Sequence, residues 1–398
     1  MKVLALFSSS LGEIDWILPV LVVLKRDYGA EIVACFHSPQ LYTKLGQNPF
    51  LAQVLRDTAE IRLEPRRHPL QIHAPESFDV LLKDDTGDSF TPQRAAYVEA
   101  CSRAKNVVFP CSGVIYGLAG DTPAYLRGME RRVAQIMGFT APPVWGRSDL
   151  CLCGSANDIP VLATRYAPET IRAVGFPRYD EWWLRRLLDE AQARLGPERE
   201  FLAGRSGVLF IIRGPHRLYL APEDYDQLMR SFCAAVMDTP GTAAIIKPHP
   251  RQSGEDLARF LESYPKDRFR ISEQPIMALA SVVPGVVSMF SSGVMDALRV
   301  GKPTMEFFLY PRDGRICLEY RVREDGAFES VYCRLGLVET SSRRSRLQAF
   351  LAAVAAGVTD AGSLDKGREA LRRVAHQDDQ AAARAAACIA AAAGGKPY

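Results

Sequence analysis

The sequence has little that would tie it to a membrane, to nucleic acid or to an oxidising compartment. Its longest nearly apolar stretch, Pro275 to Phe290, is interrupted by Pro284 and Gly285 and falls short of the ~20 residues a membrane span needs. The apolar run that opens the chain, VLALF after Met1 and Lys2, is too short for a secretory leader and reads as a first β-strand. Charge of one sign is also missing. Forty-nine basic and 46 acidic residues leave a formal +3, too even a balance to draw the whole protein to nucleic acid, and at most a peripheral membrane association is expected. Nine cysteines, odd in number and without a repeated spacing, exclude a disulfide framework and point to the reducing cytoplasm. Cys151 and Cys153 form only a CxC, read as buried strand thiols rather than zinc ligands. The segment SSSLGEIDWILP has neither the spaced glycines of GxGxxG nor a P-loop GK[ST], so no nucleotide is expected there. No DxD-like pair stands at a strand end; Asp84 and Asp85 read as a turn, and a metal-independent site is expected.

What the sequence does contain is a βα rhythm, given twice. At 398 residues, 47% hydrophobic and 24% charged, the chain exceeds what one core organises, and two domains are expected. Val3–Phe7, Glu31–Phe36, Val80–Leu82, Asn106–Phe109 and Leu150–Cys153 are short apolar runs of the kind that form parallel strands covered on both faces. Helical patterns separate them, among them Ile14–Lys25, Pro92–Arg103 and Tyr125–Ile136. The charged, Leu-patterned segment EWWLRRLLDEAQARLGPERE reads as one amphipathic linker helix. The rhythm then restarts with strands at Gly207–Ile212, Ala243–Ile246, Phe269–Ile271, Gly285–Met289 and Thr304–Phe307, and helices at Ala221–Met237, Gly254–Ser263 and Ser291–Arg299. The expected organisation is an N-terminal Rossmann-like domain over 1–180, a linker helix over 181–205, a C-terminal Rossmann-like domain over 206–342, and Ala-rich helices over 343–398, laid over a domain.

Candidate chemistry clusters where strands of the second array end, since open parallel sheets bind ligands at the carboxyl ends of their strands. GVLFIIRGPH and AAIIKPHPRQ place Arg213, His216, Lys247, His249 and Arg251 just past two such ends. Arginine and lysine supply charge and donors for a phosphate, and His249, held between Pro248 and Pro250, can donate to a phosphate or move a proton. In VVSMFSSGVMDALRVGKPTMEF, Phe290, Ser291, Ser292 and Gly293 open a helix whose N–H groups and hydroxyls suit an anion. Asp296 follows about one turn on, either as an acceptor for a ribose hydroxyl or as a stabiliser of the helix start. Glu306, at the end of the next strand, is expected to face the same crevice. In AVGFPRYDEWW, Gly175 and Pro177 shape a turn, Arg178 either reaches a donor phosphate or pins the linker, and Asp180 is read as structural. In the first domain Glu13 and Asp15 are candidates for the base that deprotonates an acceptor hydroxyl, with helix capping as the alternative for Asp15; Asp121 and His37 follow.

Gly175 to Asp180, Lys247 to Pro250 and Ser291 to Asp296, in this order, resemble the G-x-P-R-x-D, K-P-H-P and S-S-x-x-x-D motifs of bacterial surface-polymer transferases of GT-B fold. The CDP-glycerol glycerophosphotransferases and the capsule-type sialyl and Kdo transferases are the families concerned, and the resemblance spans Leu150 to Phe307. It implies two Rossmann-like domains whose parallel sheets face each other across a cleft. It also implies a metal-independent glycosyltransferase that moves a sugar or sugar-acid from a CMP- or CDP-linked donor, rather than a UDP-linked one, to a glycan or lipid-linked glycan acceptor. In those families the H-P histidine and the serine pair contact the nucleotide phosphate, which implies that role for His249, Ser291 and Ser292; together with the strand-end and helix-start reading above, the expected donor site is Arg178, Arg213, Lys247, His249, Pro250, Phe290, Ser291, Ser292, Gly293 and Asp296. Glycerophosphotransferases commonly carry a His-Gly pair after an N-domain strand; here VVFPCSGVIYG has Cys111 and Ser112, so another base must serve. Two other readings stand beside this one. A non-hydrolysing UDP-sugar 2-epimerase shares the fold, and a catalytically silent nucleotide-sugar-binding subunit would need no base at all.

Overall fold

A computed structural model of the chain describes residues 1–7, 10–36, 38–63, 77–84, 104–110, 117–118, 120–138, 148–249, 252, 254–310, 320–322, 326, 328–358 and 361–394. The expected helix at Pro92–Arg103, and His37, Asp85, Cys111, Ser112, Pro250 and Arg251, lie outside the described residues.

The chain divides into two compact units, one of Met1–Arg127, Thr140–Arg185 and Val374–Tyr398, the other of Gly128–Phe139 and Arg186–Arg373. In the first unit β1 (Lys2–Phe7), β2 (Glu31–Phe36), β3 (Glu60–Leu63), β4 (Val80–Lys83), β5 (Lys105–Val108), β6 (Leu150–Cys153) and β7 (Ile171–Ala173) form a seven-stranded sheet in the order β3-β2-β1-β4-β5-β6-β7. Every pairing in it is parallel. Val3 to Phe7 are all buried, which is why this strand carries no polar alternation. Helix α1 (Leu11–Tyr28) begins with the Ser10 hydroxyl accepting from Glu13 N at 3.4 Å and ends at Gly29, whose φ of 59° closes the helix in the left-handed region. Ser10, not Asp15, is thus the cap. Cys151 and Cys153 point into an apolar cluster with Val108, Leu162, Tyr166 and Ile171, and burial pushes the Cys153 thiol well above its ordinary range.

The second unit carries a six-stranded parallel sheet, β10-β9-β8-β11-β12-β15, built from β8 (Ser206–Ile211), β9 (Thr242–Lys247), β10 (Phe269–Ile271), β11 (Gly285–Ser288), β12 (Thr304–Phe307) and β15 (Glu339–Ser341). A small antiparallel ribbon of β13 (Tyr320–Val322) and β14 (Phe328–Ser330) precedes β15. The main core of this unit packs Phe210, Ile246, Val287, Met289 and Phe307 against helix α2 (Pro222–Asp238) and the helix Arg344–Ala355. In each sheet the strand order reverses direction once, between β1 and β4 and between β8 and β11. Such reversals open the crevices that ligands use in doubly wound sheets.

One element differs from the sequence reading. The linker segment is two helices, Glu181–Gln192 and Gly196–Leu202, because Gly196 and Pro197 start a new helix where the first ends. The Ala-rich terminus packs through α5 (Ala381–Ala392) on α1 of the first unit. Its start is fixed by Asp180, whose carboxylate accepts from Ala381 N at 3.0 Å and Ala382 N at 2.9 Å. Gly175, at φ 90°, brings its backbone so near that a Cβ would lie 3.0 Å from the Cβ of Ala381. The G-x-P-R-x-D segment therefore docks the terminal helix. Among the described residues no helix is long and apolar enough to cross a membrane.

Candidate functional site

The register of the second sheet fixes what meets at its carboxyl edge. Ile211 of β8 pairs with Lys247 of β9 on one side and Ser288 of β11 on the other. The residues that follow, Arg213, His249 and the Phe290–Ser292 turn, consequently leave three adjacent strands at one level. Arg213 links them. Its Nη1 donates to the Phe290 carbonyl at 3.3 Å, and its guanidinium lies 3.9 Å over the Tyr219 ring and 5.3 Å from that of Phe290, a plane set by cation–π stacking on both rings. Phe290 is buried and non-glycine, yet holds a φ of 48°. A left-handed residue of this kind carries roughly 1–3 kcal/mol of strain. Here that conformation leaves the Phe290 carbonyl with Arg213.

Beside Arg213 opens a cavity of about 580 Å³ between the loops after β8 and β9 and the starts of α2 and of α3 (Gly254–Leu261). Arg213, His216 and His249 contribute its basic groups, Glu223, Asp226 and Asp256 its acidic ones, and Tyr219, Tyr225 and Phe260 its aromatic walls. Gln252 N donates to the His249 carbonyl at 2.8 Å and Gln252 Nε2 to the Tyr225 hydroxyl at 2.6 Å, which fixes the turn after β9. Burial pushes the Tyr225 phenol up to about 12.

The other expected residues are placed as follows. Lys247 is largely buried, and its ammonium donates to the Glu273 carboxylate at 2.8 Å and the Glu273 carbonyl at 3.0 Å; it does not line the cavity. Desolvation holds that ammonium below its ordinary pKa, with Glu273 acting in the opposite sense. The turn at 291 differs from the expectation of free N–H groups. Gly293 N donates to Ser291 Oγ at 3.2 Å, Val294 N to Ser291 O at 3.2 Å and Met295 N to Ser292 O at 2.9 Å. The helix that follows, α4 (Gly293–Arg299), has seven residues. What this turn offers a ligand is its two half-buried hydroxyls, not a row of amides. Asp296 is buried.

Glu306 does not face the crevice. It is fully buried, and its Oε2 takes hydrogen bonds from Tyr310 Oη at 2.5 Å, Thr340 Oγ1 at 2.6 Å and Ser330 Oγ at 3.0 Å. Desolvation raises its pKa against the pull of those three hydroxyls. In the first unit Glu13 is buried with no exposed surface. Asp15 and Arg178 form an ion pair at 3.1 Å, both side chains largely buried, which joins α1 to the turn of Pro177–Tyr179. Asp121 accepts from Leu118 N at 2.9 Å. Among the described residues no three His, Cys, Asp or Glu side chains converge so as to hold a metal ion.

His216, Tyr219, Tyr225 and Gln252 line the cavity while standing in none of the three sequence motifs. The available signal was GPHRLY directly after a strand end, where Gly-Pro forces a turn and brings the following ring residues back over Arg213.

No family model matches the sequence, and no curated protein matches it. Solved structures do match across nearly the whole chain. A putative UDP-N-acetylglucosamine 2-epimerase from Listeria monocytogenes aligns with a TM-score of 0.61 and 15% identity over 98% of this chain and 96% of its own. The wall teichoic acid polymerase TagF aligns with a TM-score of 0.60 and 12% identity over 98% and 89%. The S. aureus MnaA–UDP co-structure aligns with a TM-score of 0.59 and 12% identity over 96% and 94%. At these identities the likeness is one of fold: two Rossmann-like units of parallel sheet, GT-B-like as the sequence motifs imply.

Proposed function

We propose that the protein is a nucleotide-sugar-dependent transferase whose donor is held in the second unit, with a cytidine nucleotide preferred and a glycan or lipid-linked glycan hydroxyl as acceptor. What supports this reading is that Arg213, His249 and the Ser291–Ser292 turn follow three adjacent strand ends next to the reversal between β8 and β11, where Arg213 bonds the Phe290 carbonyl and lines, with His249, a cavity of about 580 Å³. Transfer leaves negative charge on the departing phosphate. Arg213, already oriented by its stack, and the His249 imidazole stabilise that charge without reorganising when it develops. The hydroxyls of Ser291 and Ser292 donate to the remaining phosphate oxygens. TagF, of the same fold, is a wall teichoic acid polymerase, in keeping with a role in surface-polymer synthesis.

A second reading, sugar epimerisation, is favoured by one observation: structures of equal similarity include UDP-N-acetylglucosamine 2-epimerases. Thermal-shift measurements with CMP, CDP, UDP and GDP test the donor site, because a ligand that binds the folded state raises its stability with occupancy. Cytidine nucleotides are expected to give the largest shift. Turnover of the bound donor with and without a glycan acceptor then separates the readings, since transfer needs the acceptor and epimerisation does not. No shift with any nucleotide refutes both.

A further inference from the structure

Arg213 lies against Tyr219, which the loop after β8 holds in place. His216 N donates to Leu220 O at 2.8 Å, Leu220 N to His216 O at 3.0 Å and Tyr219 N to His216 O at 3.2 Å, while Leu218 and Leu220 are sunk in the core. A row of rings joins this loop to the interior of the second unit. His216 stacks on Tyr219 with centroids 4.2 Å apart and planes 19° apart, Tyr219 meets Phe290 at 5.6 Å and 49°, and Phe290 stacks on Phe308 at 4.9 Å and 24°. Phe290 and Phe308 are buried, whereas His216 and Tyr219 are half-buried and line the cavity. The Arg213 guanidinium rests on the middle of the row, 3.9 Å from the centre of the Tyr219 ring and 5.3 Å from that of Phe290.

These contacts restrain Arg213 in different ways. The bond from its Nη1 to the Phe290 carbonyl, at 3.3 Å, is long for its kind and fixes one nitrogen. A ring face fixes the whole plane of the group. Arginine carries much rotamer freedom, which binding an anion would otherwise remove, so a plane set in advance favours the bound state. We infer that Tyr219 is a positioning residue for the anion site: its ring sets the plane in which Arg213 meets the nucleotide phosphate, and it bonds to no phosphate oxygen itself. The inference rests on the nucleotide-donor reading above and adds to it a residue that acts only through Arg213. The face of the ring is what this role requires, so phenylalanine can take the place of Tyr219 and an aliphatic side chain cannot.

Calorimetric titration of the full chain with CDP tests it in Tyr219→Phe and Tyr219→Leu, each made in the wild type and in Arg213→Lys, whose ammonium has no plane for a ring to set. Tyr219→Phe is expected to bind CDP within about twofold of the wild type, because the ring face remains. Tyr219→Leu should weaken binding roughly 3- to 30-fold, the range of a cation–π contact. In the Arg213→Lys background the same substitution should cost about twofold or less, since residues that act as one are not additive. A loss of equal size in both backgrounds overturns the inference, because a ring that merely props the loop acts without regard to residue 213. Wild-type affinity in Tyr219→Leu overturns it as well, and so does a loss in Tyr219→Phe as large as in Tyr219→Leu, which would move the effect to the hydroxyl. Each of these three results leaves the nucleotide-donor reading intact, whereas a wild type that does not bind CDP removes that reading and the inference with it.

Discussion

Replacing Arg213 probes the candidate site at its most defined point. The guanidinium is held by three contacts at once, the 3.9 Å stack on Tyr219, the 5.3 Å approach to Phe290 and the 3.3 Å bond to the Phe290 carbonyl. Lysine keeps the charge but has no planar fork, so it forfeits the stack and the second donor to a phosphate. A stack of this kind contributes about 0.5–2 kcal/mol, and a charge-assisted hydrogen bond about 1.5–3 kcal/mol. Arg213→Lys is therefore expected to weaken CDP binding by roughly 1.5–3 kcal/mol, or about 10- to 100-fold in Kd. Arg213→Ala should cost more, because the charge goes too. In the absence of ligand, Arg213→Ala removes the ring stack and leaves one backbone carbonyl without this donor, together about 1.5–3 kcal/mol, or several degrees in melting temperature for a unit of this size. Titration calorimetry of both variants, with a thermal melt of each apo protein, reads the two effects separately. CDP affinity unchanged in Arg213→Ala would refute the assignment of this arginine to the anion. A large loss of stability with no selective loss of affinity would make it structural.

Three further outcomes follow from the buried polar groups and the tight glycine. Glu306 has a folded-state pKa raised by burial, so its contribution to stability is fully present below the unfolded value of about 4.3 and is lost as pH rises through the folded one. Glu306→Gln should gain on the wild type in urea melts as pH is raised from 4 to 8, and a difference that is flat or falls with pH contradicts this. Asp180 accepts from two buried amides at the start of α5, and Asp180→Ala should cost about 1–3 kcal/mol and expose the terminal helix to early proteolysis. Cleavage rates equal to those of wild type argue against the clasp. A Cβ on Gly293 would sit 2.7 Å from Ile211 Cδ1 and 3.0 Å from Ile276 Cδ1. Gly293→Ala should destabilise by about 1–3 kcal/mol and shift the serine turn, weakening nucleotide binding in the same titration.

The sheets were legible because parallel strands covered on both faces leave continuous apolar runs, as in Val3–Phe7 and Gly207–Ile212. Strands without such a run escaped: β3 is EIRL, partly exposed along its length, and β15 is ETS, both on sheet edges where only one neighbour pairs. The break in the linker helix was written in Gly196 and Pro197, but the surrounding Leu pattern continues across it. At the site, Arg213, His249 and the serine turn were legible for one reason, that each follows a strand end. Partners remote in sequence were not. Lys247 with Glu273, Asp15 with Arg178, and Asp180 with Ala381 and Ala382 pair across loops or whole units of chain, and a single sequence carries no signal for such pairs. Glu306 likewise reads as a charged residue at a strand end, and only the hydroxyls arriving from β14, β15 and Tyr310 explain its burial.

A crystal structure of the protein with CDP bears most directly on the function proposed. The expected result is a nucleotide phosphate lying against Arg213, within reach of the Ser291 and Ser292 hydroxyls and of His249. Density for the nucleotide in the first unit, or in the second unit away from Arg213, would contradict it.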